Sequence, residues 1–232
     1  MKLYGKIPHL PGSRLGPSDR TAPADLAERC AGAGRDGDRV IVSEKLDGSC
    51  VAIVRHDHEL VAYGRDGRPC TMSRNDGRVA FAAWVDARAA EPGLAWRDVL
   101  AEGERLVCEW MVLAHGTKYL LPHGPAVAID GFDVDGARWP LDEVRRRAEA
   151  MGLPVAAVLH DGGALTVTEA DARLGVHGHH GAVDGAEGVV YRVERGGSVV
   201  GLAKYVRAGK RDGIYLADHT GADHVWNTWQ DA

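Results

Sequence analysis

The run Ser43-Glu44-Lys45-Leu46-Asp47-Gly48-Ser49 places a lysine two residues before an aspartate and three before a glycine. It follows the apolar stretch Val40-Ile41-Val42 and precedes Cys50-Val51-Ala52-Ile53-Val54, both of which read as strands. Lys45 is therefore expected at a tight strand-to-strand turn with a carboxylate close by. A lysine fixed there becomes a nucleophile if burial and nearby cations lower its pKa and free the amine lone pair. The same residues also suit a charged surface hairpin with Asp-Gly at its tip. The choice rests on the rest of the chain.

Other charged residues sit inside or at the ends of apolar runs. Arg65 follows Leu60-Val61-Ala62-Tyr63-Gly64, and Glu109 lies between Leu106-Val107-Cys108 and Trp110-Met111-Val112. Glu187 precedes Gly188-Val189-Val190-Tyr191, and Lys204 follows Gly201-Leu202-Ala203. A charge in a sheet is costly unless it is paired or bound to a ligand. Each one alone also fits the solvated face of a half-buried sheet. Together they offer two lysines and an arginine to meet phosphate. Asp47, Glu109 and Glu187 add three carboxylates to meet a cation or ribose hydroxyls.

The elements that must hold these residues come as short Val-, Ile- and Leu-rich strands at 39–44, 50–55, 59–63, 105–113, 126–134, 155–159, 187–193 and 198–206. Helical patterns cover Pro23 to Ala31, 77–90 behind a cap at Asn75 or Asp76, 141–151 ending at Gly152, and Thr168 to Gly175. Strands cluster as hairpins rather than alternating strictly with helices, which predicts an α+β fold with antiparallel sheets. Residues 11–38 read as a surface loop around one short helix. The chain has 232 residues, 45% of them hydrophobic, with no linker or repeat, so a single domain over 1–232 is expected. A net charge of −5 argues against a general nucleic-acid coat protein but leaves room for a local basic groove. No apolar run approaches the roughly 20 residues of a membrane span. Met1 to Lys6 lack the apolar core of a signal peptide. Cys30, Cys50, Cys70 and Cys108 form no C-x-x-C pair, which points to reduced thiols and a cytoplasmic protein.

Lys45-Leu46-Asp47-Gly48 resembles motif I of the covalent nucleotidyltransferase superfamily of DNA ligases, RNA ligases and mRNA capping enzymes. Cys108-Glu109-Trp110-Met111 resembles motif III, and Ile129-Asp130-Gly131-Phe132-Asp133-Val134 motif IIIa. Glu187-Gly188-Val189-Val190 is similar to motif IV, and Leu202-Ala203-Lys204-Tyr205-Val206-Arg207 to motif V. The motifs occur in the family's order over about residues 40–210. Glu-Trp-Met followed by His115 and Tyr119 looks most like the compact ATP-dependent RNA ligases. The residues after Arg207 are too few for the OB-fold module of DNA ligases and capping enzymes. The resemblance thus implies an antiparallel-sheet adenylyltransferase domain with an ATP-grasp-like ligase core and no OB-fold domain.

It also implies a reaction. Lys45 would attack the α-phosphorus of ATP to give lysyl-AMP. The adenylate would pass to the 5′-phosphate of an RNA, and a 3′-hydroxyl would then displace AMP. By the same resemblance, Glu44 would lie at the adenine edge, Ile129 would stack on the base, Arg65 would meet phosphates or the acceptor end, and Glu109 would hold the ribose. Asp47 and Glu187 would hold hydrated Mg²⁺ or Mn²⁺, and Lys204 would meet the α-phosphate. Positioning and charge neutralisation are what phosphoryl transfer needs. A DNA or mixed-nick ligase stays open at this point, as does a catalytically weakened protein that binds nucleotide or nucleic-acid ends. So does a helper protein that supplies further RNA-binding surface.

Two positions depart from the family pattern. Val206 stands where motif V usually has a second lysine, with Arg207 or Lys210 as the nearest substitutes. Ile129 stands where an aromatic residue is common. Lys204, Arg207, Lys210 and Arg211, interleaved with Tyr205 and Tyr215, are expected either to line a phosphate-backbone groove or to form solvated surface. Arg65, Arg68, Arg74 and Arg78 form a second cluster. His177-Gly178-His179-His180 lacks the partner ligands of a zinc site. His115 to Tyr119 reads as a polar turn that touches the RNA end or forms plain surface. Trp226 and Trp229 are expected to anchor the C-terminal tail on the body.

Overall fold

The computed structural model describes residues 3–93 and 95–230; Met1 and Lys2 of the N-terminal reading lie outside them. Among the described residues, ten strands and six α-helices occur in the order α1 (Ala24–Ala31), β1 (Arg39–Lys45), β2 (Ser49–His56), β3 (Glu59–Gly64), α2 (Asp76–Ala90), α3 (Trp96–Val99), β4 (Arg105–Trp110), β5 (Leu120–Leu121), β6 (Ala126–Phe132), α4 (Leu141–Ala150), β7 (Val158–Gly162), α5 (Val167–Leu174), β8 (Gly188–Arg195), β9 (Ser198–Val206), α6 (Ala217–Thr220) and β10 (Thr228–Trp229). Sheet 1 has the strand order β7-β1-β8-β9 and sheet 2 the order β3-β2-β4-β6. Both are antiparallel throughout, and β5 and β10 form a small parallel pair. The α+β expectation holds.

The turn after Lys45 is not a hairpin. β1 and β2 belong to different sheets, so Leu46, Asp47 and Gly48 carry the chain from one sheet to the other. The true hairpin is β2–β3, whose turn residues Asp57 and His58 both have positive φ, 49° and 66°. The strand expected at 155–159 is displaced to β7. Residues 155–157 cross the gap instead: Ala156 N–H donates to Ala128 O on β6 and Glu44 N–H donates to Ala157 O.

Alternation along the strands sends one face of each sheet to a helical layer and the other to the gap between the sheets. Behind sheet 2, Trp110, Phe81, Trp84 and Trp96 form an aromatic cluster with ring centroids 5.2–6.0 Å apart, and Trp110 Nε1 donates to Gly77 O. This seats α2 on the sheet. Asn75 caps α2 by accepting from Arg78 N–H, as its position suggested. Behind sheet 1, Val40, Val42, Val189, Tyr191 and Val193 pack with Leu174 of α5 and Cys30 of α1. α5 starts with a Thr166/Glu169 capping box. Across the gap, Arg192 of β8 donates to Asp130 of β6 at 2.7 Å. Asp130 also accepts from Arg138 at 2.6 Å and is fully buried, so it ties the two sheets together. No helix is long and apolar enough to cross a membrane among the described residues.

The C-terminal tail is held differently from the expectation. Trp226 and Trp229 are 50% and 39% exposed, so neither is buried on the body. The anchor is the buried Asn227 between them, which accepts from Tyr119 N–H and donates to Met111 O, each at 2.7 Å. A side-chain amide satisfies two backbone groups at once, which a tryptophan cannot do.

Candidate active site

A cleft of about 450 Å³ lies between the sheets. Strand register explains which side chains reach it. Ser43, Val190 and Lys204 form one row across β1, β8 and β9, and Lys45, Gly188 and Val206 form the next on the same face. From sheet 2, Cys50 and Glu109 are opposite each other on β2 and β4. Ile129 is the extra residue of a β-bulge, since Val107 pairs with Asp130 and Cys108 with Ala128. Bulges re-aim side chains, and Ile129 is the one residue of β6 that is not fully buried. Lys45, Asp47, Arg65, Glu109, Ile129 and Lys204 all line this cleft. Glu187, with Lys45, Asp47 and Lys204, lines a second cavity of about 280 Å³ that meets the first at Lys45.

Lys45 Nζ donates to Glu187 Oε2 at 2.6 Å and to Leu46 O at 3.2 Å. Gly48 N–H donates to Glu109 Oε1 at 2.9 Å. A Cβ at Gly48 would stand 2.6 Å from Trp110 O, so only glycine lets this backbone come so close. Asp47 is clamped from the 115–119 turn: Gly116 N–H donates to its Oδ2 at 2.8 Å, and its own N–H donates to Tyr119 Oη at 3.2 Å. A Cβ at Gly116 would lie 2.3 Å from Arg211 O and 2.9 Å from Asp47 Oδ2. His115 Nε2 lies 3.4 Å from Ser49 Oγ. Arg65 Nε donates to Tyr4 O at 3.3 Å.

The electrostatics differ from the expectation of an acidified lysine. Burial opposes the charge on Lys45, but Glu187, Glu109 and Asp47 outweigh it and hold the ammonium above the ordinary lysine range. The carboxylates bear the opposite strain. Burial pushes Glu187 and Glu109 each up to about 7, with Lys45 only partly offsetting it. Lys204 is lowered by burial and by Lys45, and it forms no ion pair among the described residues.

Glu44 is among the residues lining the cleft, but its carboxylate turns to the other face of β1. It follows the opposite parity to Lys45, in a row with Val189 and Tyr205. Its Oε2 accepts from His179 N–H at 2.6 Å, while Oε1 is buried without a partner. The histidine run is the far side of this contact: His180 Nε2 accepts from Ala157 N–H, and its Nδ1 lies 2.6 Å from His123 Nε2. The proposed substitutes for the second motif V lysine are committed elsewhere. Arg207 donates to Asp171 Oδ1 at 2.7 Å and Lys210 to Gly185 O at 2.7 Å. Tyr215 Oη donates to Asp184 at 2.6 Å, so Arg207, Lys210 and Tyr215 are each held by a contact within the chain. Val206 keeps the right row but offers only an apolar side chain. Sequence reading passed over His9 and Asp19, which line the second cavity. The apolar neighbours Ile7, Pro8 and Leu10 were the one hint that His9 is buried.

A family model described as RNA ligase matches residues 38–206. Among solved structures, an archaeal ATP-dependent RNA ligase aligns with TM-score 0.55 and 19% identity over 88% of this chain and 48% of its own. A mutant Naegleria gruberi RNA ligase with ATP and Mn aligns with TM-score 0.54 and 16% identity over 96% and 62%. A second such mutant gives 0.52 and 15% over 74% and 50%. The chain thus spans less than two thirds of each of these proteins. A search of curated proteins finds no match.

Proposed function

The chain belongs to the RNA ligase family, and from that premise we propose that it is an ATP-dependent RNA ligase working through a lysyl-AMP intermediate. The observation that carries this reading is the convergence of Lys45, Asp47, Glu109, Glu187 and Lys204 around two cavities that meet at the lysine. Lys45 Nζ forms a bond to the α-phosphorus of ATP, the bond to the bridging oxygen breaks, and pyrophosphate carries away the electron pair. The proton of the ammonium is lost before attack. The nucleotidyl group then passes to a 5′-phosphate on RNA, and a 3′-hydroxyl displaces AMP.

The residues fit these substrates. Ile129, Val190 and Leu202 give apolar walls for a base. Lys204 is a half-buried ammonium without an ion-pair partner among the described residues and suits a phosphate. Glu109 suits ribose hydroxyls. Three carboxylates crowd Lys45, and of these Asp47 and Glu187 are hard oxygen ligands that suit a divalent metal. Mg²⁺ or Mn²⁺, when bound, supplies positive charge that disfavours the ammonium form of Lys45. Meanwhile Glu187 orients the amine and Glu109 fixes the Gly48 turn. Metal-bound relatives of the same fold accord with this.

The experiment is a joining assay with α-labelled ATP, Mg²⁺ and 5′-phosphorylated strands, single or on complementary splints, in RNA and DNA versions. Transfer of label to RNA and loss of RNA ends is the expected result. Faster joining of DNA would move the assignment to a DNA or mixed-nick ligase. Val206 in the lysine row favours one other reading, a weakened protein that binds nucleotide without transfer, and nucleotide binding with no labelled product would support it.

A further inference from the structure

The N-terminal segment 3–21 lies outside the family match, yet it crosses the mouth of the cleft. Leu3 N–H donates to Arg65 O at 3.1 Å beside sheet 2, and Leu10 and Arg14 N–H donate to Lys204 O and Val206 O at 2.8 and 3.0 Å on sheet 1. Between these anchors the strap delivers His9 to the wall of the second cavity. The His9 side chain is only 3% exposed. Ser13 Oγ accepts from Val206 N–H at 2.9 Å and lies 2.7 Å from His9 Nδ1. The carboxylate of Asp19 3.1 Å from Nε2 favours the ring N–H on that nitrogen, which leaves Nδ1 to accept the Ser13 hydroxyl proton in preference to the longer contact with Arg14 O at 3.4 Å. Burial and Lys204 hold His9 below the ordinary histidine range, which keeps the ring neutral.

Nε2 is buried and has no well-directed hydrogen-bond partner. Asp19 Oδ2 stands 3.1 Å away and also accepts from Gly16 N–H at 2.9 Å, but it is not aligned for a hydrogen bond from Nε2. Lys6 Nζ is 4.0 Å from the other oxygen. A buried donor left poorly satisfied is costly. Here His9 and the Asp19 that covers its Nε2 both line a cavity shared with Lys45 and Lys204.

We propose that His9 is a phosphate-binding residue, donating Nε2–H to a terminal phosphate group beside Lys204, and that Asp19 is the resting anionic neighbour of Nε2 which this phosphate displaces. The proposal rests on reading the cleft as a nucleotidyl-transfer site. The chemistry is that of a phosphate dianion or a diphosphate, either the pyrophosphate half of the triphosphate or the 5′-phosphate of the strand.

The test is calorimetric titration of inorganic pyrophosphate, and separately of a 5′-phosphorylated RNA dinucleotide against its unphosphorylated form. His9→Leu is expected to weaken one of the two probes about tenfold. His9→Gln, which keeps an amide nitrogen near the Nε2 position, is expected to stay within about twofold, and Asp19→Asn to tighten binding several-fold. The probe affected identifies the phosphate. Equal loss in the Leu and Gln variants, no change in either, no binding of either probe, or weaker binding by Asp19→Asn overturns the proposal. If His9→Leu does not fold, Asp19→Asn and His9→Gln decide. Binding is read without turnover, so the two failures separate. A wild type that adenylates itself while the variants bind normally sinks this inference alone, and a wild type that binds pyrophosphate without forming lysyl-AMP sinks the ligase reading.

Discussion

Asp130 and Glu187 are both buried carboxylates bonded to a cation, Arg192 across the gap and Lys45 on β1, but their surroundings treat them differently. Asp130 accepts from Arg192, Arg138 and its neighbour Gly131 N–H, so its oxygens are saturated. Glu187 has Lys45 alone, shares it with Glu109 and Asp47, and is pushed up to about 7 by burial. The first carboxylate is fully hydrogen-bonded and joins the sheets. The second is crowded by two more carboxylates around one lysine and faces a cavity. Buried charge that is fully paired serves the fold, whereas buried charge left unbalanced marks where a ligand completes the set.

The sharpest way to break this contrast is to remove Asp130. Asp130→Ala strands Arg192 without its partner and is expected to cost about 3–5 kcal/mol in denaturant unfolding. A loss below 1 kcal/mol would mean that the pair does not join the sheets. Glu187→Gln is the counterpart. Adenylylation is expected to fall by about 10²–10³, while unfolding stability moves by less than about 1 kcal/mol. Normal adenylylation at matched metal would contradict its role.

A pH titration of stability sharpens the comparison. Glu109 and Glu187 ionise near 7 in the folded chain against an ordinary value of 4.5. The folded state therefore binds their protons more tightly than the unfolded chain. Their contribution to stability is complete below pH 4.5 and is lost as pH rises through about 7. Changing both to glutamine is expected to flatten that loss, roughly 1–3 kcal/mol in all. An unchanged pH profile would count against the strained cluster. The smallest effect concerns the base wall: Ile129→Tyr restores an aromatic face and is expected to tighten nucleotide binding about three- to tenfold in equilibrium titration.

The strands carrying Lys45, Glu109 and Lys204 were legible because apolar runs and Gly or Asp boundaries are local signals. The order of the motif residues was legible too. That β1 and β2 part into two sheets was not, because it depends on β1 pairing with β8 across more than a hundred residues. The raised pKa of Lys45 was hidden for the same reason: Glu187 is 142 residues away. The orientation of Glu44 was available from strand parity, since neighbours on a strand face opposite ways. Asn227 gave no signal beside two tryptophans, because its value lies in the two backbone groups it meets.

The central claim is tested most directly by incubating the protein with ATP and Mg²⁺ and mapping the adduct by peptide mass spectrometry. An acid-stable AMP on Lys45, absent from Lys45→Ala, is the expected result. No adduct with the wild type, or an adduct that persists in Lys45→Ala, would contradict the account.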